Sequence, residues 1–249
     1  MRDTAVNASL ARFITRVCVN AESGWFVYLE AKEILGNDFC DGHVIGITGS
    51  AAAGKSTLID RIITELRKHE HTVIVLTIDP TERESGGSIL ADGMRMRDHY
   101  LDPGVFIRSF AGRGASGAIA PEIRSAINLA RPFADFVIVE TAGAGQGDVA
   151  LAEMVDTFIA LPDSRGDDVT LLKSGAHRHA HMLVVNERRN SLEDKQFFAM
   201  LFGIQPTLPV RGGWETKIFI VDALKGIGIP KLVREGVFAH RDFLHKKGT

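Results

Sequence analysis

The chain has 249 residues, 45% hydrophobic and 24% charged, which is the composition of an ordinary globular protein and excludes disordered and fibrous classes. Lysine and arginine total 29 against 31 aspartates and glutamates, so a net charge of −2 makes no electrostatic case for nucleic acid or an anionic membrane as partner. Cys18 and Cys40 have no C-x-x-C partner, which argues against a disulfide framework or a cysteine-based zinc site.

In chain order, residues 1–42 read as a helical extension, with Leu10, Phe13, Ile14 and Val17 at spacings of three and four. This stretch has no apolar run of secretory type, and no stretch of the sequence has the length of a membrane span; the expected compartment is the cytoplasm. From residue 43 to 249 the pattern is that of a single α/β domain. Short apolar runs recur at Val44–Thr48, Val73–Ile78, Val105–Ile107, Phe136–Val139, Thr157–Leu161, Met182–Val185 and Ile218–Val221. Runs this continuous suit strands buried on both faces. The intervening Leu58–His69 and Pro121–Ala130 have helical spacing. The fold class expected is a doubly wound, mostly parallel sheet flanked by helices. Lys231–Phe243 reads as a closing helix and His245–Thr249 as a polar tail.

The strongest motif is Gly49, Ser50, Ala51, Ala52, Ala53, Gly54, Lys55, Ser56 and Thr57, which fits G-x-x-x-x-G-K-[ST] between a strand and a helix. Glycines let backbone amides curl around phosphates, and the helix that follows points its positive end at them. Lys55 is then the cation for the β- and γ-phosphates, Ser56 the hydroxyl ligand of Mg²⁺, and Thr57 a hydroxyl near the α-phosphate. Asp79 and Glu140 end apolar runs, and Asp92 follows the Gly86-Gly87-Ser88 turn. All three are candidates for the Mg²⁺ shell, with helix or loop capping as the structural alternative. Glu140-Thr141-Ala142-Gly143 has the form of a γ-phosphate-sensing D-x-x-G switch with Glu for Asp, and Gln146 is a candidate to orient the attacking water.

These segments resemble the MeaB/ArgK/MMAA family of P-loop GTPases, the chaperones of adenosylcobalamin-dependent acyl-CoA mutases. The resemblance rests on the P-loop, Asp79-Pro80, Gly86–Asp92 followed by Arg95-Met96, Phe106–Arg108, Glu140–Gln146, Met154–Asp156 and Gly166–Asp168. It implies a Mg²⁺-dependent GTPase that gates adenosylcobalamin loading and protects or reactivates a mutase partner. It also implies that Lys55, Glu140 and Gln146 serve hydrolysis, and that Ser56, Asp79, Asp92 and Glu140 serve the metal. Asp156–Lys173 corresponds to a switch that senses the mutase, with Asp167 and Lys173 as candidate communicators.

The sequence departs from the family at two places. Where the family has N-K-x-D, this chain has Asn186-Glu187-Arg188-Arg189, which keeps the Asn and loses the carboxylate that reads guanine. Such a loss costs about 3 kcal/mol of base discrimination, with Asp194 or Asp222 as substitute carboxylates. Secondly, the family's dimers use a C-terminal arm, whereas this sequence ends shortly after Phe243, leaving a monomer, another dimer surface or assembly with the mutase.

Other groupings carry less. His177, His179 and His181 suggest a metal site or a solvated helix end, and with it an alternative function as a nickel-enzyme metallochaperone. A P-loop alone also fits a small-molecule kinase. Arg108, Arg113 and Arg124 are arginine-finger candidates or surface ion-pair formers, and Trp214 is a partner-facing aromatic or a packing residue.

Overall fold

A computed structural model describes residues 41–50, 53–79, 96, 99, 101–111, 121–141, 146–162, 178–187 and 192–248, with the backbone alone at 79, 110, 111, 121, 122, 146, 147, 192 and 193. The strands are β1 (His43–Gly49), β2 (Val73–Asp79), β3 (Val105–Ala111), β4 (Phe136–Glu140), β5 (Thr157–Leu161), β6 (Met182–Asn186), β7 (Val210–Arg211), β8 (Trp214–Glu215) and β9 (Lys217–Val221). Seven of them form one sheet in the order β3-β2-β4-β1-β5-β6-β9, and every pair in it is parallel. β7 and β8 make a separate antiparallel ribbon across Gly212-Gly213. From β1 the chain crosses β4 to reach β2, whereas from β4 it crosses β1 to reach β5. That reversal is a topological switch point, which opens a crevice at the carboxyl ends of β1 and β4.

Alternation along each strand sorts its side chains into two cores. On one face Ile45 and Ile47 meet Leu58, Ile59, Ile62, Ile63 and Leu66 of α1 (Lys55–Lys68), all fully buried. The spacing of those five is the apolar stripe of one helix face, and burying each contributes about 1.5–3 kcal/mol. The same core takes Ile229 of α5 (Ile229–Lys231), Leu232, Val233 and Val237 of a π-helical segment (Leu232–Phe238), and part of α6 (Ala239–Gly248). On the other face Val44, Val137, Val139 and Leu183 meet Ile123 and Ile127 of α2 (Pro121–Ala130), Leu151 of α3 (Gln146–Ala152), and Phe197 and Leu201 of α4 (Leu192–Ile204).

The structure differs from the sequence expectations at several boundaries. β3 runs on from Ile107 to Ala111, because an edge strand tolerates the half-exposed Arg108 and Ser109 that interrupt its apolar run. α1 begins at Lys55, inside the phosphate motif. The stretch expected as a polar tail continues α6 as far as Gly248, with His245, Lys246 and Lys247 in the last turn, where they complement the helix dipole. Residues 1–40 of the expected helical extension lie outside the described residues. No helix among the described residues is long and apolar enough to cross a membrane.

At the amino ends of the strands, opposite the crevice, lies a buried imidazole cluster. The Thr157 hydroxyl sits 2.6 Å from His43 Nε2 and 2.8 Å from His240 Nδ1. A hydroxyl has one proton to donate, so at least one of these neutral rings donates to it, which constrains the tautomers. His181 Nδ1 accepts the Phe158 amide at 2.8 Å, its ring lies 4.3 Å from that of His240, and its carbonyl accepts Trp214 Nε1–H at 3.1 Å. Burial pushes His43 and His240 down to about 3 and His181 to about 4, helped at His43 by the charges of Arg241 and Arg131. In the unfolded chain the same rings titrate near 6.5. Each folded value is depressed, so each stabilising contribution is whole above about pH 6.5 and is lost as pH falls toward 4 and then 3. His99 works the other way, because its bond to Asp60 raises its pKa. Burial also lowers His71 and His179, so among the described residues five depressed imidazoles stand against one raised, and the balance predicts acid lability: a depressed ring removes up to about 1.4 kcal/mol per pH unit in that window. Thermal melts should therefore show Tm dropping steeply between about pH 6.5 and about pH 4.5. A level Tm across that range would contradict the burial of these rings.

Candidate nucleotide site

β1 carries the chain to the crevice and stops at Gly49, whose φ is 155°, and the turn closes at Gly54 with φ 92°. Side chains are strained at both positions, and a Cβ on Gly49 would also lie 2.7 Å from the Leu161 carbonyl oxygen. Ala53 N–H donates to Ser50 O at 3.1 Å across the turn, and Leu58 N–H donates to Gly54 O at 2.9 Å, the first full helical bond. No side chain caps the start of α1 and no acidic residue stands in its first turn, whereas Arg67 and Lys68 occupy its last. The helix thus turns uncapped amides and its positive end toward the loop, the arrangement that attracts phosphate.

Lys55 is 7% exposed, and its ammonium donates to Gly49 O at 2.9 Å and Ser50 O at 3.1 Å. Keeping a cation out of water costs several kcal/mol, and charge-assisted bonds to carbonyls return about 1.5–3 kcal/mol each. The result is an ammonium group held against the first carbonyls of the turn. Ser56 Oγ donates to Glu140 Oε1 at 2.9 Å, and Glu140, 8% exposed, ends β4 in register with Ile47 of β1 and Thr77 of β2. A serine hydroxyl and a carboxylate are hard oxygen donors, the set that suits Mg²⁺, which keeps several waters and takes one or two carboxylates. These residues therefore fit that ion. Next to them Thr141 Oγ1 donates to Thr48 Oγ1 at 3.2 Å, tying the residue after β4 to β1.

The structure thus brings Gly49, Ser50, Ala53, Gly54, Lys55, Ser56, Thr57 and Glu140 to one edge of the sheet. Asp79 is the last residue of β2 and Gln146 the first of α3, so their backbones reach the same edge; their side chains, like Ala51, Ala52 and Asp92, lie outside what is described. So do Gly143, Asp167, Lys173, His177 and Arg188. Asn186, expected at the base, ends β6 and joins two loops. Its Nδ2 donates to Ala53 O at 3.2 Å, and its Oδ1 accepts Ala223 N–H at 3.1 Å. Asp222, a substitute guanine reader in the sequence, is paired with Lys225 at 2.7 Å, which holds its carboxyl below the usual range.

The other groupings are placed as follows. His181 is not at a solvated helix end: it immediately precedes β6, and one ring nitrogen accepts a backbone amide. Among the described residues no group of three or more His, Cys, Asp or Glu is placed to hold a metal ion. Trp214 packs, 7% exposed, against His240 and Phe243. Arg108 lies within β3 opposite Leu76, and Arg124 is exposed on α2. Sequence reasoning passed over Arg61, which donates to two carbonyls of the loop after β9. A lone arginine on an amphipathic helix carries no signal that separates it from a solvated face.

Comparison with known proteins agrees with this geometry. Residues 10–249 match the family model described as methylmalonyl Co-A mutase-associated GTPase MeaB. A protein of Pyrococcus abyssi whose name carries the word GTPase is 34% identical over 242 residues, 96% of this chain and 73% of its own. A fused isobutyryl-CoA mutase of Geobacillus kaustophilus is 35% identical over 159 residues, 61% of this chain and 14% of that one. Among solved structures, the LAO/AO transport system kinase superposes with a TM-score of 0.68 at 23% identity, covering 100% of this chain and 79% of its own, a likeness of fold. With a P-loop at the switch point of a parallel sheet and a family match over nearly its whole length, the chain belongs to the MeaB family of methylmalonyl Co-A mutase-associated GTPases.

Proposed function

We propose that the protein is a Mg²⁺-dependent GTPase that acts as chaperone to an adenosylcobalamin-dependent acyl-CoA mutase, gating cofactor loading and protecting or reactivating the enzyme. The observation that carries the chemistry is the pair of contacts at the start of α1: Lys55 over the carbonyls of its own loop, and Ser56 bonded to Glu140 at 2.9 Å. The partner is supported by the family's description and by the relative whose name is a fused isobutyryl-CoA mutase.

In this reading the loop amides of Ser50–Ser56 and the Lys55 ammonium hold the β- and γ-phosphates of GTP. Bound Mg²⁺ would neutralise charge that develops on the phosphate oxygens. Ser56 and Glu140 would hold that ion, Glu140 directly or through water, with Asp79 and Asp92 as further carboxylates. Gln146, at the start of α3, orients a water in line with the γ-phosphorus. The water oxygen bonds to phosphorus as the bond to the β,γ-bridging oxygen breaks. That electron pair leaves on GDP, and the water's proton ends on inorganic phosphate. Loss of the γ-phosphate would change the surface that the mutase meets beside the carboxyl end of β4. The cytoplasm is the expected site of action. Glu187-Arg188-Arg189 gives no guanine-reading carboxylate at its usual place, so guanine specificity rests on the family relationship. Among the described residues, no group of imidazoles is placed to hold nickel for delivery.

Lys55→Ala should lower phosphate release by about 10²-fold or more while the fold persists by circular dichroism. Unchanged turnover would show that the site is misassigned. Calorimetric titration with Mg²⁺ present should give GDP an affinity at least about tenfold above that of ADP, and equal affinities would remove the guanine assignment. Adding a cobalamin-dependent acyl-CoA mutase should raise the rate of GTP hydrolysis. Failure of every such mutase to bind or stimulate would end the chaperone reading.

A further inference from the structure

Alternation sends Val73 and Val75 of β2, Val105 and Ile107 of β3, and Phe136 and Ile138 of β4 to the α1 face of the sheet, where all of them join the apolar core around that helix. Two residues further along each strand the same face turns polar. Thr77 stands there in register with Ser109 of β3 on one side and with Glu140 of β4 on the other. The Thr77 and Ser109 hydroxyls lie 2.8 Å apart, and Glu140 Oε1 accepts the Ser56 hydroxyl at 2.9 Å. A polar row thus runs from Ser109 on the edge strand through Thr77 and Glu140 to Ser56 in the first turn of α1.

Thr77 is 3% exposed, whereas Ser109 is half-buried. A hydroxyl in an apolar core costs about 1–3 kcal/mol unless it is bonded, and valine would suit the same strand position without that cost. The pair owns two O–H groups, and their mutual bond uses one, which leaves the second O–H and further lone pairs for a third group. Adjacent strands lie about 4.8 Å apart, a spacing that one water spans between Thr77 and the Glu140 carboxylate. Mg²⁺ keeps several of its waters, and those waters need partners beyond the ligands themselves. We propose that Thr77 and Ser109 are positioning residues for the metal: their hydroxyls orient Glu140 and the water between its carboxylate and β2, without touching the ion. This deepens the metal part of the nucleotide reading above and rests on it. Neither hydroxyl meets phosphate or base in this scheme, so their effect falls on how firmly the ion is held.

The test is calorimetry on the full chain with a non-hydrolysable GTP analogue, once with Mg²⁺ and once with a chelator. The ratio of the two affinities reports the grip on the ion. Thr77→Val keeps volume and strand preference, and should reduce that ratio by about tenfold while the affinity in chelator stays within about twofold. Thr77→Ser keeps a hydroxyl and should retain most of the ratio. Ser109→Ala should fall between Thr77→Val and the parent. Thr77→Val with the parent's ratio, or with both affinities lowered equally, overturns the inference. A parent that binds no analogue sinks the nucleotide reading, and one whose binding Mg²⁺ does not tighten sinks the metal assignment, in both cases with this inference. A parent that Mg²⁺ tightens, matched by its variants, sinks this inference alone.

Discussion

β1 is bonded to β4 along one edge and to β5 along the other, and both of its faces are covered, so its last residues cannot shift without breaking ladder bonds and opening two cores. From that immobile end the chain turns through two glycines and enters a helix whose apolar stripe is packed on the same sheet. The turn is therefore clamped on both sides. Strand and helix are each anchored separately, and the bond from Ser56 to Glu140 closes the gap between the helix start and β4. A polyphosphate grip needs donors preset within a fraction of an ångström, and a loop on mobile supports does not supply that.

Much of this was legible in the order of residues. Continuous apolar runs such as Thr157–Leu161 announce strands covered on both faces, and that run matches β5 residue for residue. The phosphate motif fixes its own context, since its glycines, lysine and hydroxyl make chemical sense only between a strand and a helix. Edge and ribbon elements were harder to read. Arg108 and Ser109 disguise the second half of β3, the β7–β8 ribbon has no apolar run, and the apolar run Phe197–Phe202 of α4 is too continuous to show a helical period. Strand order was out of reach because it depends on which runs pair, and equal apolar runs pair equally well on paper.

Within the candidate site, residues with proposed chemical roles were visible and residues that join one element to another were not. Lys55, Ser56 and Glu140 belong to types and places that phosphoryl transfer demands. Asn186 was expected at a base and instead bridges two loops, while Arg61 looked like any charged residue on a helix surface. The buried imidazoles show the same limit. His181 read as part of an exposed tract, and only long-range contacts with Phe158 and His240, from distant parts of the chain, reveal a cluster that must stay neutral. The two poles divide the labour: one end of the sheet assembles a charged, ligand-ready surface, and the other locks the C-terminal helix to the strands.

A crystal structure grown with Mg²⁺ and a non-hydrolysable GTP analogue interrogates the grip most directly. The expected density puts phosphate oxygens against the amides between Gly49 and Ser56, Lys55 Nζ on the β- and γ-phosphates, and Ser56 Oγ about 2.1 Å from the ion with Glu140 in its shell. Nucleotide bound elsewhere, with this turn empty or its amides directed away from the ligand, would contradict it.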